Sequence, residues 1–155
     1  MTPRTRPWNR APQQMYSLVT RGPEDGWNAN IMTYVVPVSM DPKYYLLALF
    51  KDTRTLDNWQ QKGGGVLQFL SAHQSKLLNT LGKVSGSVKN KHTQLVRQLV
   101  YCPQMKEEII DGIYAAVKLR QITMLPHEGG DHLLFLSEVE KYKNYNANPP
   151  LLYHR

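Results

Sequence analysis

Between an Asp-Pro turn at 41–42 and the polar stretch "KDTRT" at 51–55 runs "YYLLALF", seven residues (44–50) without a charge. An uninterrupted apolar run of that length reads as a strand covered on both faces. It falls far short of the roughly 18 residues that cross a bilayer, and no other run in the chain approaches that length. At 155 residues the chain supports one domain with a real core and not two. Cover for the run must therefore come from the chain's own sheet or from a second copy.

Further strand signals surround it. "NIMTYVVPVSM" (30–40) is rich in β-branched and aromatic residues, with Pro37 marking an edge or an irregularity. "GVLQFLS" (65–71) follows a flexible "GGG". "DGIYAAVKLRQITML" (111–125) alternates apolar with polar positions, and "HLLFLSEVEKYK" (132–143) follows the loop "HEGGD". The last two read as a hairpin with a long connection. Helix signals are fewer. Thr55 is placed to cap a short helix ending near Gln61, and Ser71 with Gln74 forms a capping box ahead of Leu77, Leu78 and Leu81, with Gly82 as the stop. A further helix is expected over 92–100. The pattern is mainly β: five to seven strands in an antiparallel barrel with short helical insertions. Residues 1–20 read as a basic N-terminal arm and 21–155 as the domain.

Charge narrows the partners. Nineteen Lys and Arg against twelve Asp and Glu give +7, which favours anionic ligands. No basic helical stripe interleaved with aromatics is present, so nucleic acid is disfavoured. A single cysteine, Cys102, excludes an internal disulfide or a cysteine zinc site and fits a reducing cytoplasm. The "MTPRTRPWNRAP" start lacks the apolar segment of a secretory signal. His73, His92, His127, His132 and His154 have no metal-ligand spacing, and the nucleophile-elbow, Walker and dinucleotide glycine motifs are missing.

What remains is a series of polar segments that break apolar stretches: "NIMT" (30–33), "KDTRT", "SGSVKNK" (85–91) and "GGDH" (129–132). Their order resembles the flavin reductase-like family, the FMN-binding split barrels that include NAD(P)H:flavin oxidoreductase components. "NIMTYVVPVSMDP" is similar to the family's N-x-M-T, strand and D-P turn. "VSGSVKNK" is similar to S-G-x-x-x-D-K, "GGDHLLFLSEV" to G-D-H followed by a strand and G-x-V, and "PPLLYHR" to the P-L-x-Y end. The resemblance covers about residues 30–153 and implies a split antiparallel β-barrel.

It also implies FMN, with FAD as a possible substitute, NADH or NADPH as donor, and a cytoplasmic homodimer. Free flavin, a partner oxygenase or another acceptor would take the electrons. Asn30, Met32 and Thr33, with the backbone of Leu49, Phe50 and Lys51, are implied to line the ring and ribityl chain. Thr53 and Thr55 lie in the polar loop that ends at a helix start, where a phosphate is favoured by the exposed amides. Ser85, Gly86 and Lys91 can add a hydroxyl, backbone N–H groups and a cation, while Lys83 and Lys89 read as ordinary surface charge. His132 is implied to lie near the ring and to orient the dinucleotide or polarise the flavin. Asn90 replaces the motif's acid, His92 an aromatic and Ser137 a glycine. Ser137 points to a local backbone change in its strand, and His92 bears on the loop around Lys91. The alternative within the same fold is a non-enzymatic FMN electron carrier or redox sensor.

Overall fold

The structure is a computed structural model that describes residues 6–83, 90–145 and 148–153. Its strands in chain order are β1 (Gln13–Gln14), β2 (Tyr16–Arg21), β3 (Trp27–Ala29), β4 (Val35–Met40), β5 (Lys43–Phe50), β6 (Gly64–Phe69), β7 (Leu99–Cys102), β8 (Glu107–Ile110), β9 (Ala115–Leu125), β10 (His132–Asn144) and β11 (Leu152–Tyr153). Three short helices interrupt them: α1 (Arg54–Lys62), α2 (Leu77–Gly82) and α3 (Lys91–Leu95). Seven strands form one antiparallel sheet in the order β3-β2-β6-β9-β10-β5-β4. Residues 30–34 close it toward a barrel. Met32 bridges to Tyr16, and the Tyr34 carbonyl accepts from the Ala48 amide.

Alternation along each strand divides the core in two. Leu18, Leu67, Val117, Leu47, Leu49 and Phe135 share the inner cluster with Leu56 and Trp59 of α1. Trp59 and Phe135 meet edge to face at 6.0 Å, and both are fully buried. On the opposite face Val19, Val66 and Ala116 pack with the β7–β8 hairpin and with Leu77, Leu81 and Leu95 of α2 and α3.

The mainly antiparallel β architecture agrees with the sequence reading, and so does the β9–β10 hairpin. Pro37 lies on the edge strand β4, at an irregularity in its pairing with β5. Ser137 sits at a register shift in the β9–β10 pairing, in keeping with the backbone change expected there.

Several expectations are corrected. The helix cap is Thr53, not Thr55: Thr53 has the extended backbone a cap requires, and its Oγ1 accepts from the Leu56 amide at 3.2 Å. The strand expected over 30–40 begins only at Val35, because Asn30 turns inward to accept the Leu18 amide at 2.8 Å. The strand expected from 111 starts at Ala115, after a turn in which Gly112 has φ +86°. The helix expected over 92–100 ends at Leu95, and Leu99–Cys102 is drawn into a strand by pairing with β8. The expected arm also ends too late. Residues 16–20 belong to β2, paired on both sides by β3 and β6, with Ser17, Leu18, Val19 and Thr20 all buried.

The two faces of residues 44–50 are not equally covered. Leu47 and Leu49 are buried inside, whereas Leu46 and Ala48 face outward half-exposed and Phe50 is exposed. In register with them, Val36, Leu134 and Leu136 extend the same outer surface. Among the described residues that surface is covered only in part.

Candidate functional site

A cleft of about 390 Å³ opens where β5 ends and α1 begins. Asn28, Asn30, Asp52, Thr53, Arg54, Thr55 and Lys91 supply its polar lining, two cations against one carboxylate. The turn leading into it is tightly made. Asp52 has φ +59°, and the Thr53 hydroxyl donates to the Phe50 carbonyl at 2.7 Å while capping α1. Arg54 and Thr55 therefore occupy the first turn of the helix, whose early amides lack intrahelical acceptors. The buried Asn28 amide donates to Thr55 Oγ1 at 3.1 Å. Asn28 Oδ1 has no hydrogen-bond partner among the described residues. That is an unusual state for a buried carbonyl oxygen and marks a position where a donor is missing.

Lys91 is the cleft's buried cation, 4% exposed. Its Nζ donates to the carbonyls of Ala29 and Leu81, both at 2.8 Å. An ammonium has three protons, so the charged form keeps one donor beyond these two bonds, and the neutral amine keeps none. Burial pushes the Lys91 pKa down to about 8. Its placement follows from α3, which starts at Lys91 and is capped by Asn90 Oδ1 accepting from the Thr93 amide at 3.2 Å. Asn90 thus does the capping that an acid does equally well. His92 faces away from the cleft. It meets Glu108 Oε2 at 2.6 Å and the Trp27 ring edge-on, fastening α3 to β8.

His132 lies opposite Phe50 in the β5–β10 pairing, at the rim of the partly covered outer surface. The rings of Tyr34 and Phe50 flank it at 5.0 and 5.3 Å. Asp131 Oδ1 lies 2.6 Å from His132 Nδ1, and this hydrogen bond holds the Asp131 carboxyl below its ordinary range. The preceding loop is stitched down. Lys51 Nζ donates to the Gly130 carbonyl at 2.8 Å, and the Lys51 amide donates to the Asp131 carbonyl at 2.9 Å. His127 Nε2 adds a contact to the His132 carbonyl at 2.9 Å.

The structure thus brings Asn30, Phe50, Thr53, Thr55 and Lys91 to one cleft. Leu49 points into the core, so only its backbone can serve a site there. Lys51 is engaged with the 129–131 loop. Met32 and Thr33 line a second hollow on the far side of the 30–34 segment. Ser85 and Gly86 lie outside the described residues. Sequence reasoning missed Asn28, Arg54 and Tyr34. Arg54 could have been found as a cation beside the threonine cap in "KDTRT"; Asn28 carries no local signal. Among the described residues no group of three His, Cys, Asp or Glu side chains could hold a metal ion.

Comparison with known proteins decides the family. Residues 8–155 match the Flavin reductase like domain. The chain belongs to the flavin reductase-like family. It is thereby a flavoprotein oxidoreductase of the NAD(P)H-dependent flavin reductase class. No curated protein matches the sequence. Among solved structures, the fold is similar to an FMN-binding protein from Thermus thermophilus (TM-score 0.82, 21% identity, 100% of this chain and 89% of that one). It is also similar to the NADH:FAD oxidoreductase SgcE6 of Streptomyces globisporus (TM-score 0.80, 19% identity, 95% and 84%). A third likeness is to BorF, the flavin reductase component of a bacterial two-component tryptophan halogenase (TM-score 0.79, 17% identity, 95% and 89%). Of the polar segments, those at 51–55 and 129–132 sit at the ends of β5 and β10.

Proposed function

We propose that this flavin reductase binds FMN with its phosphate in the Lys91 cleft and its ring toward His132, and reduces it with NADH or NADPH. The observation that carries the placement is the donor set of the cleft. Lys91 keeps one proton unspent, Arg54 and Thr55 stand in the first turn of α1, and all three line the same 390 Å³ space. A phosphate dianion needs such charge-assisted donors. FAD shares these groups and can replace FMN.

Bound flavin supplies the hydride-accepting chemistry, and the chain's residues bind, orient and exclude water. Lys91, Arg54 and the α1 amides fix the phosphate end. Phe50 and Tyr34 bracket His132, and Asp131 accepts from its Nδ1, leaving Nε2 to face the reacting ring. A hydrogen bond from Nε2 would orient the nicotinamide or polarise the flavin.

The partly covered outer surface of Val36, Leu46, Ala48, Leu134 and Leu136 supports a homodimer in which a second copy covers it. BorF serves a halogenase, which supports a free-flavin or partner-oxygenase acceptor here. The single cysteine, Cys102, is buried and reduced, in keeping with a cytoplasmic setting. Among the described residues no helix is long and apolar enough to cross a membrane. The non-enzymatic carrier is not favoured by the family match.

The test is spectroscopic. The protein loaded with FMN is yellow, and anaerobic NADH or NADPH bleaches it. A protein that takes up no flavin ends the proposal. A yellow protein that neither nucleotide bleaches returns it to the carrier reading.

A further inference from the structure

A third cavity, about 390 Å³, lies at the other end of α1 and is used by none of the chemistry above. Arg54 opens the helix at the Lys91 cleft, and Lys62 closes it here, about 12 Å further along the axis. Five cations and two carboxylates line the cavity. Both arginines are taken. Arg21 Nε lies 3.0 Å from each Glu107 oxygen, and Arg120 pairs with Glu138 and Glu140. Lys62, Lys106 and Lys118 are left, and among the described residues none of them meets a carboxylate. Lys118 Nζ donates to the Met105 carbonyl at 3.2 Å, which leaves two of its protons unspent.

The backbone keeps this hollow open. Glycines 63–65 form one wall. A Cβ on Gly64 would come within 2.7 Å of the Leu119 carbonyl, and one on Gly65 within 2.5 Å of the Val19 carbonyl. Those positions therefore cannot carry the side chains that would fill the space. On the rim, Lys106 has φ +52°, a left-handed turn conformation that glycine or asparagine takes more readily. The turn thus holds a less suitable residue at the point where its ammonium borders the cavity.

We propose that this cavity binds a small polyphosphate through the ammonium groups of Lys62, Lys106 and Lys118. These lysines come from α1, the β7–β8 turn and β9, so they converge on one compact ligand. An ammonium is a point charge with rotatable donors, suited to the successive oxygens of a phosphate chain. Two other anionic partners fit less well. Strands β6 and β9 are paired on both sides and offer no free edge to an acidic peptide. The lining holds no aromatic ring on which a nucleobase could stack. The phosphate chain alone is read, whether it arrives as inorganic triphosphate or as the tail of a nucleoside triphosphate.

The test is calorimetric titration of the flavin-loaded protein at low salt with inorganic triphosphate and, separately, with ATP. One-to-one binding is expected, with the two affinities within about threefold of each other. Lys62→Gln/Lys106→Gln should weaken both about tenfold or more. Lys43→Gln/Lys76→Gln, which removes two charges elsewhere, should change them less than about twofold. All four side chains are exposed, so both variants should fold and hold FMN equally. Equal weakening in the two variants would trace the effect to the overall +7 charge and overturn the proposal. Absence of saturable binding overturns it as well, as does release of FMN by added triphosphate, which would put the ligand in the Lys91 cleft. ATP bound more than about tenfold tighter than triphosphate would make the base the recognised group and overturn it too. Should the protein take up no flavin, the flavin placement fails on its own, and the same two variants still judge this cavity.

Discussion

Of three cavities of nearly the same size among the described residues, two contrast most sharply in what lines them. The Lys91 cleft measures about 390 Å³, and a groove between Tyr45, Phe69, Tyr114, Val117, Val139 and Pro37 measures about 400 Å³. Their linings have opposite characters. The groove is walled by aromatic contacts, Tyr16 on Phe69 at 4.9 Å and Phe69 on Tyr114 at 5.5 Å. Burial raises the pKa of its Tyr45 and Tyr114 hydroxyls, so both stay neutral and neither brings charge to the groove. Tyr114 already donates to Gln14 Oε1 at 2.6 Å. Volume therefore does not distinguish a phosphate site from an apolar groove here, whereas unspent donors do.

The sharpest attempt to break that contrast is Lys91→Met, which keeps the stem and removes the ammonium. Flavin affinity should fall between about tenfold and a hundredfold by equilibrium titration, as expected for one charge-assisted bond to phosphate. The same change strands the Ala29 and Leu81 carbonyls, so the flavin-free protein should also lose stability, on the order of 1–3 kcal/mol. Affinity within about twofold of the unaltered protein would remove Lys91 from the phosphate site.

Titration tests the same residue without mutation. The folded chain gives up the Lys91 proton near pH 8, while an ordinary lysine keeps it to 10.5. Flavin affinity should weaken as pH rises past 8, by up to about tenfold per pH unit, since only the ammonium retains a free donor. Stability of the flavin-free protein should move the other way. Between pH 8 and 10.5 the unfolded chain binds the extra proton, so the Lys91 contribution to stability rises with pH. Flavin binding that is flat across this window would contradict the assignment.

Asp131→Asn should slow anaerobic bleaching several-fold while leaving flavin affinity nearly intact, because the amide no longer fixes the charge facing His132 Nδ1. In the unaltered protein the pairing weakens only as pH falls through the depressed Asp131 pKa. Loss of flavin from this variant would mean that His132 is held for binding. The smallest effect belongs to the apolar groove. Tyr114→Phe should cost about 1 kcal/mol in thermal or denaturant unfolding and change flavin affinity less than about twofold. A change of about tenfold would erase the distinction between the two cavities.

How much of this was legible in advance depends on distance along the chain. The apolar run at 44–50, the alternation at 132–143 and the Ser71–Gln74 capping box are local signals, and each appears in the fold. Strands β7 and β8 are short and pair only with each other among the described residues, so the helix expected over 92–100 concealed the first. The Thr53 cap could not be told from Thr55, because both precede the same apolar helix face. Asn28 joins the site only through its bond to Thr55, 27 residues later, and Tyr34 only through pairing of its neighbours with β5. The polar segments were readable as a set; the side chains that complete them are brought in by sheet register.

The pairing of β1 with β11 has a consequence for synthesis. Gln14 Nε2 reaches the carbonyl of Leu151, 137 residues further on, and waits roughly 10–30 s for it at ordinary rates of translation. During that interval the arm is an unmated strand that could seize the wrong edge. Its make-up discourages this: Pro7 and Pro12 cannot donate to a ladder, and Arg6 and Arg10 repel neighbouring basic segments. Arg6 and Arg10 would thus act as gatekeepers of the nascent chain.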